Sequence, residues 1–434
     1  MTNTKSNMSP DMLDIAVIGS GIAGISAAWL LSTRHDVQIY EQNDYVGGHS
    51  NTVNITLGNQ KKCVDTGFIV FNNKTYPNLT SLFDYLGVKT KISDMSFAVS
   101  LSRLDIEYCS KGLNGFFAQR NNLLKFSHWS IIVNLLRFYK LSSIKSKSFS
   151  HFTVADFLKE NSYSDSFINL HLLPMIAAIW SVPISQASDF PFSSVVNFFD
   201  NHGLLKLGNR PVWKTVIGGS RSYVKKIVQD IPKPIKLNCQ IVNVIRQDNK
   251  VILIDQIGNK YTHDMVIIAS HADQALNILD CPTLKEKEIL GGFKYCLNKA
   301  VLHEDVNLMP KRRSVWSSWN VIDTGLEKNN LGVTYWLNNL HKFNDLPNIF
   351  LTLNPPKRID PKMFKKSFLY SHPLLNHNAQ RARKNLSIIQ GKDNIWFCGS
   401  YFGYGFHEDA LLSALNISEK FGIVAPWKSN GVRA

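Results

Sequence analysis

An apolar run over residues 13–18, with Asp14 its one charged position, breaks at once into Gly19-Ser20-Gly21-Ile22-Ala23-Gly24. A short strand buried on both faces of a parallel sheet has this pattern. Residues 25–31 then read as helix, and 37–40 as a second strand ending in Glu41. The stretch 13–31 has the hydropathy of a leader or a membrane span. Asp14 interrupts its start, no basic segment precedes it, and three glycines stand inside it. A strand, turn and helix are therefore expected instead of a targeting or transmembrane segment. Farther on, 235–246 and 250–255 predict hairpin strands, and 264–269 another buried parallel strand. Residues 395–400 predict a strand entering a glycine turn, and 411–421 a helix. Residues 153–182 read as helices, with Thr153 as N-cap and Pro174 kinking or splitting the second.

The glycine spacing adds chemistry to this pattern. Gly19 permits the tight turn, Gly21 lets backbone approach a pyrophosphate, and Gly24 lets the helix pack on the strand. The open N–H groups at the helix start, around Ser20, Ile22 and Ala23, suit an anion. Glu41, twenty residues after Gly21, is placed to accept hydrogen bonds from ribose hydroxyls. Strand, helix, second strand and terminal acid together point to a dinucleotide.

Directly after Glu41 comes Gln42-Asn43-Asp44-Tyr45-Val46-Gly47-Gly48-His49. It resembles the segment of FAD-dependent amine oxidases and phytoene-desaturase-like proteins in which paired glycines run along the FAD phosphates. Val64-Asp65-Thr66-Gly67-Phe68-Ile69-Val70-Phe71 is similar to the family's glycine segment near the flavin. Val216-Ile217-Gly218-Gly219-Ser220 resembles the turn that returns the chain to the FAD domain, and Ile241 matches the strand meeting adenine. Gly399-Ser400 and the stretch from Gly403 through Phe406 and His407 to Ala410 resemble the closing FAD motif. The resemblance covers nearly the whole chain and implies non-covalent FAD and no metal.

It also implies an α/β architecture: a Rossmann-type FAD-binding domain with a discontinuous α+β substrate domain. The FAD domain would comprise 1–90, 215–275 and 390–425. The substrate domain would comprise 91–214, mostly helical and rich in basic and aromatic residues, and 276–389; a tail, 426–434, follows. A narrower set of segments, among them Thr75–Leu79, Ser317-Ser318-Trp319-Asn320 and Thr334-Tyr335-Trp336, resembles a bacterial branch often encoded near cyclopropane-fatty-acid synthases. That resemblance implies lipid chemistry.

Two residues are candidates for catalysis. Lys299 stands in Tyr295-Cys296-Leu297-Asn298-Lys299-Ala300, which resembles the amine-oxidase strand whose lysine holds a water near flavin N5. It reads equally as an ordinary strand-surface lysine. His407 opens the helix of the closing motif, either as a proton relay or as a backbone ligand of the cofactor. His303 and His372 have no assignable role. Three functions follow: an FAD-dependent oxidoreductase desaturating, reducing or isomerising a hydrophobic acyl or lipid substrate, an amine oxidase making an imine and hydrogen peroxide, or a non-catalytic flavoprotein or basic binding module.

Charge narrows the choice. The chain has 434 residues and a formal net charge of +15, of which 111–214 carries +6 and 276–389 carries +8. The excess thus sits in the two insertions. Within the first, residues 115–147 crowd aromatic and aliphatic side chains among Arg120, Lys125, Arg137, Lys140, Lys145 and Lys147. This reads as core helices, as a lipid-facing surface, or as the wall of an apolar tunnel. With no nucleic-acid-binding signature, the expected partners are a hydrophobic or lipid substrate and an anionic membrane, and not nucleic acid. Six scattered cysteines form no metal or disulfide pattern, so a reduced, cytoplasmic setting is expected, with peripheral contact at the inner face of the membrane.

Overall fold

The computed structural model describes residues 12–145, 149, 151–206, 208, 210–323, 331–344 and 346–429. By its contacts the chain divides into two compact units. The first comprises Met1–Gly48, Tyr223–Gly291 and Arg383–Ala434, the second His49–Ser222 and Gly292–Ala382.

The first unit is built on a four-stranded parallel sheet in the order Ile395–Phe397, Met265–Ile268, Asp14–Ile18, Asp36–Tyr40. Its two middle strands are almost wholly apolar and buried, as sheets covered on both faces demand. Every residue of the helix Ile22–Leu31 is buried, and the helix His407–Lys420 packs against it. An antiparallel sheet of Ile241–Gln247, Lys250–Asp255 and Lys260–His263 completes the unit. The expected α/β fold is therefore found, with strands near the expected places along the chain. Boundaries shift for local reasons. The first helix begins at Ile22, three residues before the expected 25, because the last residues of the glycine turn already take helical geometry. The closing helix begins at His407, before the expected 411, with Glu408 and Asp409 in its first turn. The hairpin strand begins at Ile241 and not at 235, because Lys236 and Cys239 hydrogen-bond instead along residues 39–41.

The second unit holds a seven-stranded mixed sheet in the order Phe364–Pro373, Tyr295–His303, Phe350–Leu353, Leu331–Trp336, Trp319–Asp323, Phe97–Leu101, Ile106–Cys109. All pairings are antiparallel except Trp319–Asp323 with Phe97–Leu101. Its helical part includes Phe126–Lys145, Val154–Glu160, Leu173–Trp180 and Phe192–Asn201. Thr153 caps its helix as expected, its Oγ1 accepting from Asp156 N–H at 3.1 Å. Before Pro174 the helix widens into a π-helical turn over Ile168–Leu172, which splits it where the proline removes a donor. Residues 49–90, grouped with the N-terminal stretch in the sequence reading, belong by contacts to this second unit. Within it Phe71–Asn72 and Thr90–Ile92 pair with Trp213–Val216. Of the expected basic and aromatic segment, Lys147 lies outside the described residues.

Candidate active site and cofactor cradle

The cradle lies in the first unit, where the parallel strands end in glycine turns. Gly19, at φ +100°, has its N–H on Tyr40 C=O at 2.8 Å. Gly24 cannot be larger, because a Cβ there would stand 1.9 Å from Gly19 O. Gly21 differs: a Cβ built on it meets nothing within 4 Å. It is the N-cap of Ile22–Leu31, yet no side chain caps that helix and no acid occupies its first turn. The helix therefore keeps its open N–H groups and partial positive charge for an external anion.

Glu41 organises the loop beside this anion site. Its Oε2 accepts from Ser20 N–H at 2.8 Å and from Ser20 Oγ at 2.6 Å. Its Oε1 accepts from Asn43 N–H at 2.9 Å and Asn43 Nδ2 at 2.7 Å. The carboxylate expected to meet a ribose thus ties the glycine turn to the end of the second strand. Gly47 N–H reaches Ser20 C=O at 3.1 Å. Gly48, at φ +56°, would bring a Cβ to 3.1 Å from Gly21 Cα, so the two glycine segments touch through backbone. Ile241 is buried at the start of its strand, two residues beyond Cys239, whose N–H donates to Glu41 C=O at 2.8 Å.

The closing motif is held by the carboxylate of Asp409, in the first turn of its helix. Asp409 Oδ2 accepts from Tyr404 N–H at 3.0 Å and from Phe406 N–H at 2.9 Å. Burial pushes the Asp409 carboxyl up to about 6, although these N–H groups and the Arg383 guanidinium favour its charged form. Arg383 donates to Gly403 C=O at 2.7 Å and stacks over the Tyr404 ring. Gly399 donates its N–H to Ser413 Oγ at 2.9 Å, and Ser400 C=O accepts from Gly403 and Gly405. Ala410 is buried, its N–H on Phe406 C=O. His407 is half-buried at the first helical position.

The remaining predicted residues lie in the second unit. Gly67 permits a close approach: its Cβ would sit 2.2 Å from His49 O, and the next N–H, of Phe68, donates to that oxygen at 2.7 Å. The His49 ring lies 5.0 Å from Tyr370 and 5.6 Å from His372, between ring centroids. Burial, with His49 beside it, pulls His372 down to about 3. Its Nδ1 meets Asn298 Nδ2 at 2.8 Å, and Asn298 Oδ1 accepts from Asn354 Nδ2 at 2.6 Å. Lys299 follows Asn298 on the same strand, with its side chain exposed. Sequence reasoning missed this string. Asn354 carries a signal in Asn354-Pro355-Pro356, a turn sequence after a strand, but nothing local shows that the turn grips Lys299.

A second buried carboxylate was also missed, inside a segment already singled out. Asp65 Oδ1 accepts from Thr52 Oγ1 at 2.6 Å and from Ser220 N–H and Oγ, both at 2.8 Å. It pins the Gly218-Gly219-Ser220 turn, and burial raises it to about 6. His303 is a packing residue: its Nε2 bonds Thr352 Oγ1 at 2.6 Å, its Nδ1 accepts from Asp305 N–H at 3.1 Å, and burial holds it near 4.

The chemistry of the first unit fits FAD. An uncapped helix N-terminus, a glycine without neighbours at its would-be Cβ, and backbone-lined turns would hold the pyrophosphate. Solved structures share the fold. The chain aligns over 96% of its length with all of the CLA-producing fatty acid isomerase from P. acnes, at TM-score 0.66 and 14% identity. Putrescine oxidase matches over 94% of this chain and 99% of its own, at TM-score 0.67 and 15% identity. Cyclohexylamine oxidase from Brevibacterium oxydans IH-35A matches over 95% of this chain and 100% of its own, at TM-score 0.66 and 14% identity. The family model for flavin containing amine oxidoreductase matches residues 22–295. The match runs from the end of the glycine turn to the first residue of the strand that carries Lys299, more than half of the chain, and the chain therefore belongs to the flavin-containing amine oxidoreductase family and is an FAD-dependent oxidoreductase.

Proposed function

We propose that the enzyme acts on a hydrophobic acyl or lipid substrate, desaturating, reducing or isomerising it. One observation carries this reading over amine oxidation: the distribution of charge. The two insertions hold +14 of the net +15, and no Asp or Glu occurs from residue 108 to 155. A cationic amine would approach such a surface against repulsion, whereas an acyl chain ending in a carboxylate or phosphate would be drawn in. The helical insertion is correspondingly aromatic inside, with Phe138, Phe157, Phe167 and Phe192 packed ring to ring.

FAD supplies a two-electron acceptor for hydride from a substrate C–H bond. The chain's residues do the rest. Gly19 to Gly24 and Gly47-Gly48 would bind the pyrophosphate, Glu41 the ribose, and Ile241 the adenine. Gly67, Phe68 and His49, with Gly399, Ser400, Phe406 and Ala410, would contact the remainder. Lys299 would hold a water that takes up or returns the substrate proton, and His407 would relay it or bind through its backbone. Desaturation then removes one hydride and one proton, and isomerisation returns the hydride at another carbon.

The test is anaerobic mixing of the yellow holoenzyme with unsaturated and saturated fatty acids, and separately with primary and polyamines. Bleaching or spectral perturbation by acyl substrates is expected. Bleaching by amines alone assigns the protein to amine oxidation and removes the lipid reading.

A further inference from the structure

The helix Phe126–Lys145 has two faces of opposite character. Inward, His128, Ile131 and Phe138 are buried. Outward, Phe126, Trp129, Val133 and Leu136 are 86, 44, 63 and 46% exposed. Their spacing of three or four residues places them on one stripe. The short 3₁₀ turn Arg120–Leu124 ahead of the helix extends the stripe with Leu123 and with Leu124, 91% exposed. Large apolar side chains are normally scattered singly over a surface, and a continuous run of them marks a contact.

The charge around the stripe selects the partner. Seven Lys or Arg and no Asp or Glu occur between residues 108 and 155. Lys111, Arg120 and Arg137 are exposed, and among the described residues none of the three pairs with a carboxylate. A second copy of the chain would bring the same cations against them, like charge on like. An anionic bilayer offers both halves of the complement, acyl chains for the stripe and phosphates for the rim.

We propose that residues 113–137 are a docking element for an anionic phospholipid surface, with Leu124 and Phe126 as the inserted tip and Arg120 and Arg137 in the headgroup layer. The proposal deepens the lipid reading but does not depend on its chemistry, since an amine oxidase with this surface would dock equally. Flotation of the full-length holoenzyme tests it, using phosphatidylcholine vesicles with and without about one-third phosphatidylglycerol. Co-flotation is expected with the anionic vesicles and loss of it at high salt. L124E/F126E and R120E/R137E should each lower partitioning by about tenfold or more. All four positions are exposed, so flavin content should stay at the parent value, and loss of the Arg120 bond to Phe117 C=O and of the Arg137 stacking over Tyr163 should lower the melting temperature by only a few degrees. Wild type that ignores anionic vesicles, or variants that float as it does, would overturn the proposal. So would sedimentation showing a dimer that L124E/F126E dissociates. Anaerobic flavin reduction by detergent-dispersed substrate should be the same in parent and variants, which separates failure of docking from failure of the substrate assignment.

Discussion

Asn354 grips Lys299 from both sides of its peptide backbone. Its Oδ1 accepts from Lys299 N–H at 3.0 Å, and its own N–H donates to Lys299 C=O at 2.8 Å. The grip needs a left-handed turn after the strand Phe350–Leu353, and Asn354 sits there at φ +48°, a conformation asparagine tolerates better than most residues. Asn354→Gly keeps the turn but deletes the side-chain bonds to Lys299 and Asn298. It should cost about 1–2 kcal/mol in denaturant unfolding. Lys299→Met, by contrast, removes only an exposed ammonium and should leave stability within about 0.5 kcal/mol. If Lys299 holds the proton-carrying water, Lys299→Met slows turnover with its stability intact. Unchanged turnover would make Lys299 an ordinary surface residue.

Gly21 and Gly24 stand three positions apart and should fail differently. A methyl at Gly21 meets no protein atom, whereas one at Gly24 would overlap Gly19 O. Gly21→Ala apoprotein should therefore melt with the parent apoprotein, while its FAD affinity falls because the methyl occupies the space a phosphate approaches. Gly24→Ala should lower the melting temperature of the apoprotein itself. Melting scans of both apoproteins, followed by FAD titration, give the comparison. Equal FAD affinity in Gly21→Ala and parent would remove Gly21 from the cradle.

The closing turn offers a third test. A Cβ on Gly403 would lie 1.9 Å from Asp409 Oδ1, so Gly403→Ala must displace the carboxylate that holds Tyr404 and Phe406 N–H. Asp409→Ala removes that carboxylate outright. Both should release flavin, read as the ratio of flavin to protein absorbance after desalting, and their double variant should be little worse than either alone, because they break one unit. Full flavin retention in Asp409→Ala would show that the turn stands without its carboxylate.

These residues also show how far the sequence was readable. The parallel sheet was legible because each strand is a short apolar run and because Gly19 and Gly24 do work that only glycine can do. Thr153 and Pro174 were legible for the same local reason. What was not legible depends on partners distant in the chain. Asp65 meets Ser220 across 155 residues, and Asn354 meets Lys299 across 55. Neither pair has a periodicity or spacing to betray it. The strand of Trp213–Val216 likewise gathers Phe71–Asn72 and Thr90–Ile92 from far upstream. This is why residues 49–90 read as an appendage of the first fifty residues yet fold into the other unit. Lys236 to Cys239 carry strand-like residues, but their backbone partners lie at 39–41, so the expected long hairpin strand starts late.

The pH dependence of stability follows from the buried ionisable groups. Burial holds His171, His202 and His303 at about 4, and His341 and His372 at about 3. Each is neutral in the fold and has the ordinary value of 6.5 when unfolded. Its contribution is whole above about pH 6.5 and is lost as pH falls toward the folded value. Asp65 and Asp409 act in the opposite sense. Burial raises both from 3.8 to about 6, so their contribution is whole below about pH 4 and lost as pH rises through 6. Between pH 6.5 and 4 the two effects oppose each other. Five imidazoles, each displaced by about as much as or more than either carboxyl, outweigh two carboxyls. The apoprotein should therefore melt several degrees lower at about pH 5 than at about pH 7.5. Asp65→Asn should steepen this fall, because it deletes a group that works against it. A melting temperature that is flat or rises on acidification over that range would mean that the imidazoles are charged in the fold.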